Sequence, residues 1–189
     1  MRGRKLFYIF KPVFGILAFL LRALPKPLIR GLMVAMRPIP GKIGIAIRYL
    51  LIQRLAKSCG ICVAIKENVY LFNIENVSFG DYISVHPLCY IDAYGGLDIG
   101  SNVSIAHGCS ILTAEHDHDS IGAAIRDNPV KPAAVRISDD VWIGCGSRIL
   151  AGVNISSRVV VGAGAVVTRD IPAGAVVGGV PAQQLRKIL

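Results

Sequence analysis

Residues 137–172 read ISDDVW, IGCGSR, ILAGVN, ISSRVV, VGAGAV and VTRDIP, hexads set end to end without a gap. Each opens on an Ile or Val: Ile137, Ile143, Ile149, Ile155, Val161 and Val167. Four positions later comes a small or β-branched residue: Val141, Ser147, Val153, Val159, Ala165 and Ile171. A helix needs apolar residues three and four apart, and an isolated strand alternates. Period six satisfies neither. It satisfies a solenoid in which each hexad is a short strand plus a turn, with one aliphatic side chain pointing inward. Buried between coils above and below, each such side chain contributes about 1.5–3 kcal/mol.

Outward from this stretch the period continues. Phe79, Val85 and Ile91 carry it, it slips by two residues, and Ile99, Ile105 and Ile111 resume it. Around Val63, Ile65, Val69 and Leu71 the pattern is ragged, which predicts a first coil over residues 61–78. The 189-residue chain is long enough for one well-cored domain and too short for two. With 53% hydrophobic and 17% charged residues it is not a disordered chain, and five cysteines do not make a disulfide scaffold.

From about Phe79 to Pro181 the chain resembles the hexapeptide-repeat acyltransferases. The resemblance implies a left-handed parallel β-helix, mainly β, with three hexads per coil. The hexads stop between His116 and Ile137, where a polar stretch carries Pro129 and Pro132. Loops of this length in a compact domain are commonly functional. The Thr113-Ala114-Glu115-His116-Asp117-His118-Asp119 run is followed by Val141-Trp142-Ile143-Gly144 and, near the end, by Gly179-Val180-Pro181-Ala182. Together they are similar to the galactoside and maltose acetyltransferase branch, and closer still to relatives that acetylate bacterial surface polysaccharides.

That resemblance implies an acetyl-CoA-dependent O-acetyltransferase, with acetyl-CoA as co-substrate, no metal, and a homotrimer with active sites between subunits. The acceptor is expected to be a saccharide or lipid-linked saccharide hydroxyl. A hydroxyl is a weak nucleophile at neutral pH, and histidine, with an ordinary pKa near working pH, suits the role of base. His116 occupies the position of the family's catalytic histidine. His118, Asp119 and Asp92 are candidate acceptor contacts; for Asp92 a turn residue accepting backbone N–H bonds is an equal reading. The family usually places an active-site Asn in the stretch corresponding to Val85–Leu88, and here His86 stands as the candidate. For the pantetheine arm the resemblance implies Trp142, Gly144, Cys145, Ala163 and Thr168. For the phosphates it implies Arg169 and Arg186, while Gln183 replaces a family arginine.

Rival readings use the same residues. An amino-sugar N-acetyltransferase would need the same base. A gamma-class carbonic anhydrase would hold zinc on three histidines, for which His107, His116 and His118 are the candidates, without the expected spacing. The single Cys59-Gly60-Ile61-Cys62 motif is a weak zinc signal. Cys145 as a covalent acetyl carrier would make the reaction ping-pong.

Residues 1–66 hold 13 Lys/Arg and no acid, whereas residues 67–189 hold the other 8 bases and all 12 acids. The expected organisation is therefore a basic apolar helical segment over 1–60, a β-helix over 61–182 with an extruded loop at 117–136, and a short C-terminal helix or tail over 183–189. Leu6–Leu24 is apolar but interrupted by Lys11 and Pro12, so it predicts neither a clean span nor an export signal. Ile43–Ala56 predicts a helix leading into the first coil. The cationic excess favours a peripheral site on the cytoplasmic membrane face, against anionic head groups, with packing on the β-helix as the alternative. No nucleic-acid-binding module accompanies the charge.

Overall fold

The structure, a computed structural model, describes residues 2–119 and 124–188. Part of the expected loop, residues 120–123, lies outside the described residues.

Three helices come first: α1 (Arg2–Leu21), α2 (Lys26–Ala35) and α3 (Gly41–Leu55). The coils follow, three short strands to each. The first holds β1 (Ser58–Cys59), β2 (Ala64–Ile65) and β3 (Tyr70–Phe72); the second β4 (Val77–Phe79), β5 (Ser84–Val85) and β6 (Tyr90–Asp92). The third holds β7 (Leu97–Ile99), β8 (Ser104–Ile105) and β9 (Ser110–Leu112). A hairpin, β10 (Ala114–His116) and β11 (Val130–Pro132), interrupts the winding. It resumes with β12 (Val135–Ile137), β13 (Trp142–Ile143) and β14 (Arg148–Ile149), then β15 (Asn154–Ile155), β16 (Val160–Val161) and β17 (Val166–Val167). The chain ends with β18 (Ala175–Gly178) and β19 (Gln183–Lys187).

Stacking in parallel register makes a three-faced left-handed β-helix. The first face runs β1-β4-β7-β12-β15, the second β2-β5-β8-β13-β16-β18 with β19 outside, and the third β3-β6-β9-β14-β17. The hexad openers line its axis: Ile137, Ile143, Ile149, Ile155, Val161 and Val167 are each no more than 2% exposed. Their partners four positions on, Val141 through Ile171, are buried as well, including Ser147, whose hydroxyl donates to the Gly144 and Gly162 carbonyls.

The boundaries differ from expectation in four places. Winding begins at Ser58 rather than 61, because α3 ends at Leu55 and delivers the chain straight into β1. The extruded segment starts at Ala114 and is a hairpin paired from Ala114↔Pro132 to His116↔Val130, so the solenoid resumes at Val135. Residues 183–187 are neither helix nor loose tail. They form an antiparallel strand on β18, which would otherwise leave the open edge of the second face unpaired.

The fourth concerns the helical segment, where the alternative expectation, packing on the β-helix, is the one observed. Ile29, Leu51, Ile52 and Leu55 are buried in one core with the coils, so α2 and α3 cover the open end of the solenoid. Arg48 is 1% exposed, not on an outer cationic face. Its Nε donates to the Ile65 carbonyl (2.9 Å), and its Nη1 donates to the carbonyls of Met36 (2.9 Å) and Ile39 (2.8 Å). One guanidinium therefore ties the end of α2 to the first coil, where unpaired buried carbonyls would each cost about 1–3 kcal/mol.

Candidate active site

His116 is the last residue of β10, where the hairpin leaves the corner between the third and first faces. Its ring is exposed, and Nδ1 lies 3.3 Å from the Asn128 carbonyl. A carbonyl only accepts, so the contact puts a proton on Nδ1, and in the neutral ring the lone pair then sits on Nε2. Asn128 is itself buried at 6%, and its side-chain amide donates to the Asp117 carbonyl at 2.7 Å. Across the hairpin, Lys131 pairs with Asp117 at 2.9 Å, and that contact raises the lysine pKa. These bonds hold the strands together at the point where the imidazole projects. Sequence reasoning missed Asn128, Asp117 and Lys131; the signal was the opposite charges and polar residues on the two arms of the stretch.

His118 and Asp119 follow on the same arm, exposed, with His118 Nε2 3.8 Å from the Asp119 carboxylate. Asp92 lies one coil below the root of the hairpin, in register with Leu112. Its carboxylate accepts from the Asn73 side chain (2.7 Å) and from the Tyr94 backbone N–H (3.2 Å). Thr168 and Arg169 stand exposed on the corner of His116, two coils further along.

The remaining candidates lie elsewhere on the prism. Trp142 projects from the second face, half exposed, between Ser104 and Val160. Gly144, Cys145 and Ala163 form the next corner, between the second and third faces. A Cβ on Gly144 would stand 2.6 Å from the Ala163 backbone nitrogen, so only glycine allows successive turns to approach this closely. Arg186 is exposed on β19, at the far end of the second face. His86 occupies the same corner as Cys145, two coils below. Lys66 Nζ donates to its Nδ1 at 3.2 Å. Burial first, then the Lys66 and His107 charges, lowers the His86 pKa and favours the neutral ring with its donor on Nε2.

Within one chain, His116 and the Trp142–Cys145 group are therefore on different edges of the prism. His107 shares the His86 corner, away from His116 and His118. Among the described residues no group of three or more His, Cys, Asp or Glu side chains is placed to hold a metal ion. Burial pushes the Cys59 thiol up to about 12, which keeps it protonated at neutral pH.

No protein-family profile matches the chain. A provisionally named acetyltransferase of Saccharomyces cerevisiae is 37% identical over 138 residues, 72% of this chain and 69% of that protein. One from Schizosaccharomyces pombe is 37% identical over 114 residues, 60% of this chain; the match spans only 54% of that protein. A tetrahydropyridine-dicarboxylate N-acetyltransferase of Staphylococcus aureus is 42% identical over 77 residues, covering 40% of this chain and 32% of that enzyme. Among solved structures, a maltose O-acetyltransferase from Clostridium difficile superposes with a TM-score of 0.77 at 28% identity, over 87% of this chain and 86% of that one. A hexapeptide-repeat acetyltransferase of Vibrio cholerae, solved with acetyl coenzyme A, gives 0.76 at 26% identity over 87% of each.

A left-handed β-helix with a histidine hairpin thrown out from one corner thus falls in the class of hexapeptide-repeat proteins. Within that class the chain belongs to the hexapeptide-repeat acetyltransferases.

Proposed function

We propose that this protein transfers the acetyl group of acetyl-CoA to a saccharide hydroxyl in cell-surface polysaccharide or glycolipid synthesis. It works as a homotrimer whose sites lie between subunits. The observation that carries the reading is the exposed His116 on the hairpin, with its Nδ1 donating to the Asn128 carbonyl, which in the neutral tautomer leaves Nε2 as the base.

In this mechanism Nε2 accepts the hydroxyl proton as the oxygen attacks the thioester carbonyl. The resulting tetrahedral species expels the coenzyme A thiolate, and the imidazolium returns its proton to the sulfur. Asn128 and the Asp117–Lys131 pair act as positioning residues, since they fix the hairpin rather than touch the reactants. The separation of His116 from Trp142, Gly144, Cys145 and Ala163 supports a site shared between subunits, in which a neighbour brings the cofactor groove to the base. Closely approaching turns at Gly144 and Ala163 suit a thin pantetheine arm, and exposed Arg169 and Arg186 suit its phosphates. Support for acetyl-CoA also comes from the Vibrio cholerae complex.

The helical cap carries the localisation reading. No helix among the described residues is long and apolar enough to cross a membrane. Ile9, Val13, Ile16, Phe19 and Leu20 of α1 are nonetheless 48–69% exposed, among cations and without acids. Peripheral attachment to the anionic cytoplasmic face of a membrane accounts for both features.

The Staphylococcus aureus relative favours a second reading, transfer to an amine nitrogen by the same base. Acetyl-CoA consumption across hydroxyl-bearing and amino-bearing saccharides separates the two. Replacing His116 (His116→Ala) is expected to leave the fold and acetyl-CoA binding intact while lowering turnover about 10²–10⁴-fold. Turnover within twofold or so of the parent would remove His116 from the role.

A further inference from the structure

α1 does not lie flush on the rest of the cap. Phe7 and Phe14 pack edge-on against Tyr49 of α3, with ring centroids 5.3 and 5.9 Å apart, and the Tyr8 hydroxyl bonds that of Tyr82 at 2.6 Å. These rings prop the helix away from the base of the second face and leave a cavity of about 600 Å³. The volume falls within the about 300–1,000 Å³ typical of sites for small molecules. Its wall is mainly apolar, with Phe10, Ile43, Ala46 and Val63, and among the described residues that line it the charged side chain is Lys42. Ile43 is 73% exposed, and Phe10 46%, so the lining runs on into the exposed apolar surface of α1.

What lies beside the cavity gives it a direction. Ala64 and Ser84 line it, and both point outward from the second face. Directly above Ser84 stands Ser104, their hydroxyls 3.1 Å apart, and directly above Ser104 stands Trp142. Parallel strands are about 4.8 Å apart, so Trp142 lies about 10 Å up the same face from Ser84. A short hydroxyl-lined path thus joins an apolar chamber under the helical cap to the side chain at the proposed thioester groove.

We infer that this cavity holds the hydrocarbon chain of an anionic lipid carrier, with Lys42 at its phosphate and the attached saccharide directed along Ser84 and Ser104 toward Trp142. Charge complementarity selects an anionic lipid: the chain up to Lys66 carries 13 Lys/Arg and no Asp or Glu, and Lys42 sits on the wall itself. Apolar continuity with α1 selects a lipid over a soluble sugar phosphate, because a chain can pass from bilayer to cavity without crossing water. The inference rests on the proposed saccharide acetylation for its direction along the face and on the proposed membrane attachment for the choice of a lipid.

The test is isothermal titration calorimetry of the full-length protein with farnesyl phosphate, farnesol and inorganic phosphate, each below the concentration at which it aggregates. Farnesyl phosphate is expected to bind once per chain, farnesol about tenfold more weakly, and inorganic phosphate not at all at matching concentrations. Filling the cavity with Ala46→Phe should weaken farnesyl phosphate at least about tenfold, with acetyl-CoA binding unchanged. Ile43→Glu, at a largely exposed position, should do the same without risk to the fold, and Lys42→Met should bring farnesyl phosphate down to the affinity of farnesol. Wild-type affinity in both Ala46→Phe and Ile43→Glu overturns the inference. So does equal binding of inorganic phosphate, which would mark a simple anion site, or loss of self-association in Ile43→Glu without loss of farnesyl phosphate binding, which would mark a subunit contact. Lipid binding without acetyl transfer would sink the proposed activity and spare this site; acetyl transfer without lipid binding would do the reverse.

Discussion

The coils and the helical cap are both rich in large apolar side chains, yet they dispose of them in opposite ways. In the coils, Ile143 and Ile149 are fully buried, and the outward neighbours on the first face, Ser58, Ser78, Asp98, Arg136 and Asn154, are polar. In α1, Ile9, Ile16 and Phe19 are 64–69% exposed while Phe7 and Phe14 turn inward. Hydrophobicity alone therefore does not make a core. A strict period assigns each apolar residue one neighbour above and one below, whereas α1 is apolar around most of its circumference and can satisfy only one side against α3. In the proposed membrane attachment, this surplus is the surface that meets lipid.

The largest effect that sharpens this contrast is on stability. Truncating Ile143 to Ala should cost about 2–5 kcal/mol, from lost burial and the cavity left between coils. Ile16→Ser should stay within about 0.5 kcal/mol of the parent. Denaturant unfolding of both variants checks the pair; equal losses would mean that α1 is packed like the solenoid.

Next in size is membrane partition. The same Ile16→Ser change, silent toward folding, should lower association with anionic vesicles roughly tenfold, since an inserted aliphatic side chain contributes about 1.5–3 kcal/mol. Flotation with anionic and neutral vesicles reads it. Parent protein that remains at the bottom of the gradient with anionic vesicles would end the peripheral-membrane reading.

The smallest effect concerns pH. The His86 pKa lies below its ordinary value of 6.5 because burial and Lys66 disfavour the charged ring. The unfolded chain therefore takes up a proton first as pH falls below about 6.5, and the contribution of neutral His86 to stability is lost as pH passes through the lower folded value. Lys66→Met should move the pKa partway back, burial still holding it down, as followed by imidazole proton shifts in NMR. An unchanged titration would remove Lys66 as a cause.

Legibility in the sequence follows the same division. The hexads from Ile137 to Val167 are readable because one slip of register would expose the whole inward row, so the pattern tolerates little noise. The sequence pattern places the hairpin root a few residues too late, since Ala114, Glu115 and His116 alternate within a stretch whose polarity reads as loop. Tertiary context decided the rest. Arg48 looks like any surface cation until the Met36, Ile39 and Ile65 carbonyls converge on it. The strand at Gln183–Lys187 exists because β18 offers an open edge, which no local pattern announces. The motif singles out His116, but the Asn128 carbonyl that its ring contacts lies twelve residues away across the hairpin.

The claim on which most depends is that the base and the cofactor groove come from different subunits. Co-refolding equal amounts of His116→Ala and Ala163→Trp chains, each inactive alone, tests it directly. If each site takes its histidine from one chain and its groove from the neighbour, random assembly should restore roughly a quarter of the parent turnover. A mixture no more active than its two components would contradict the account.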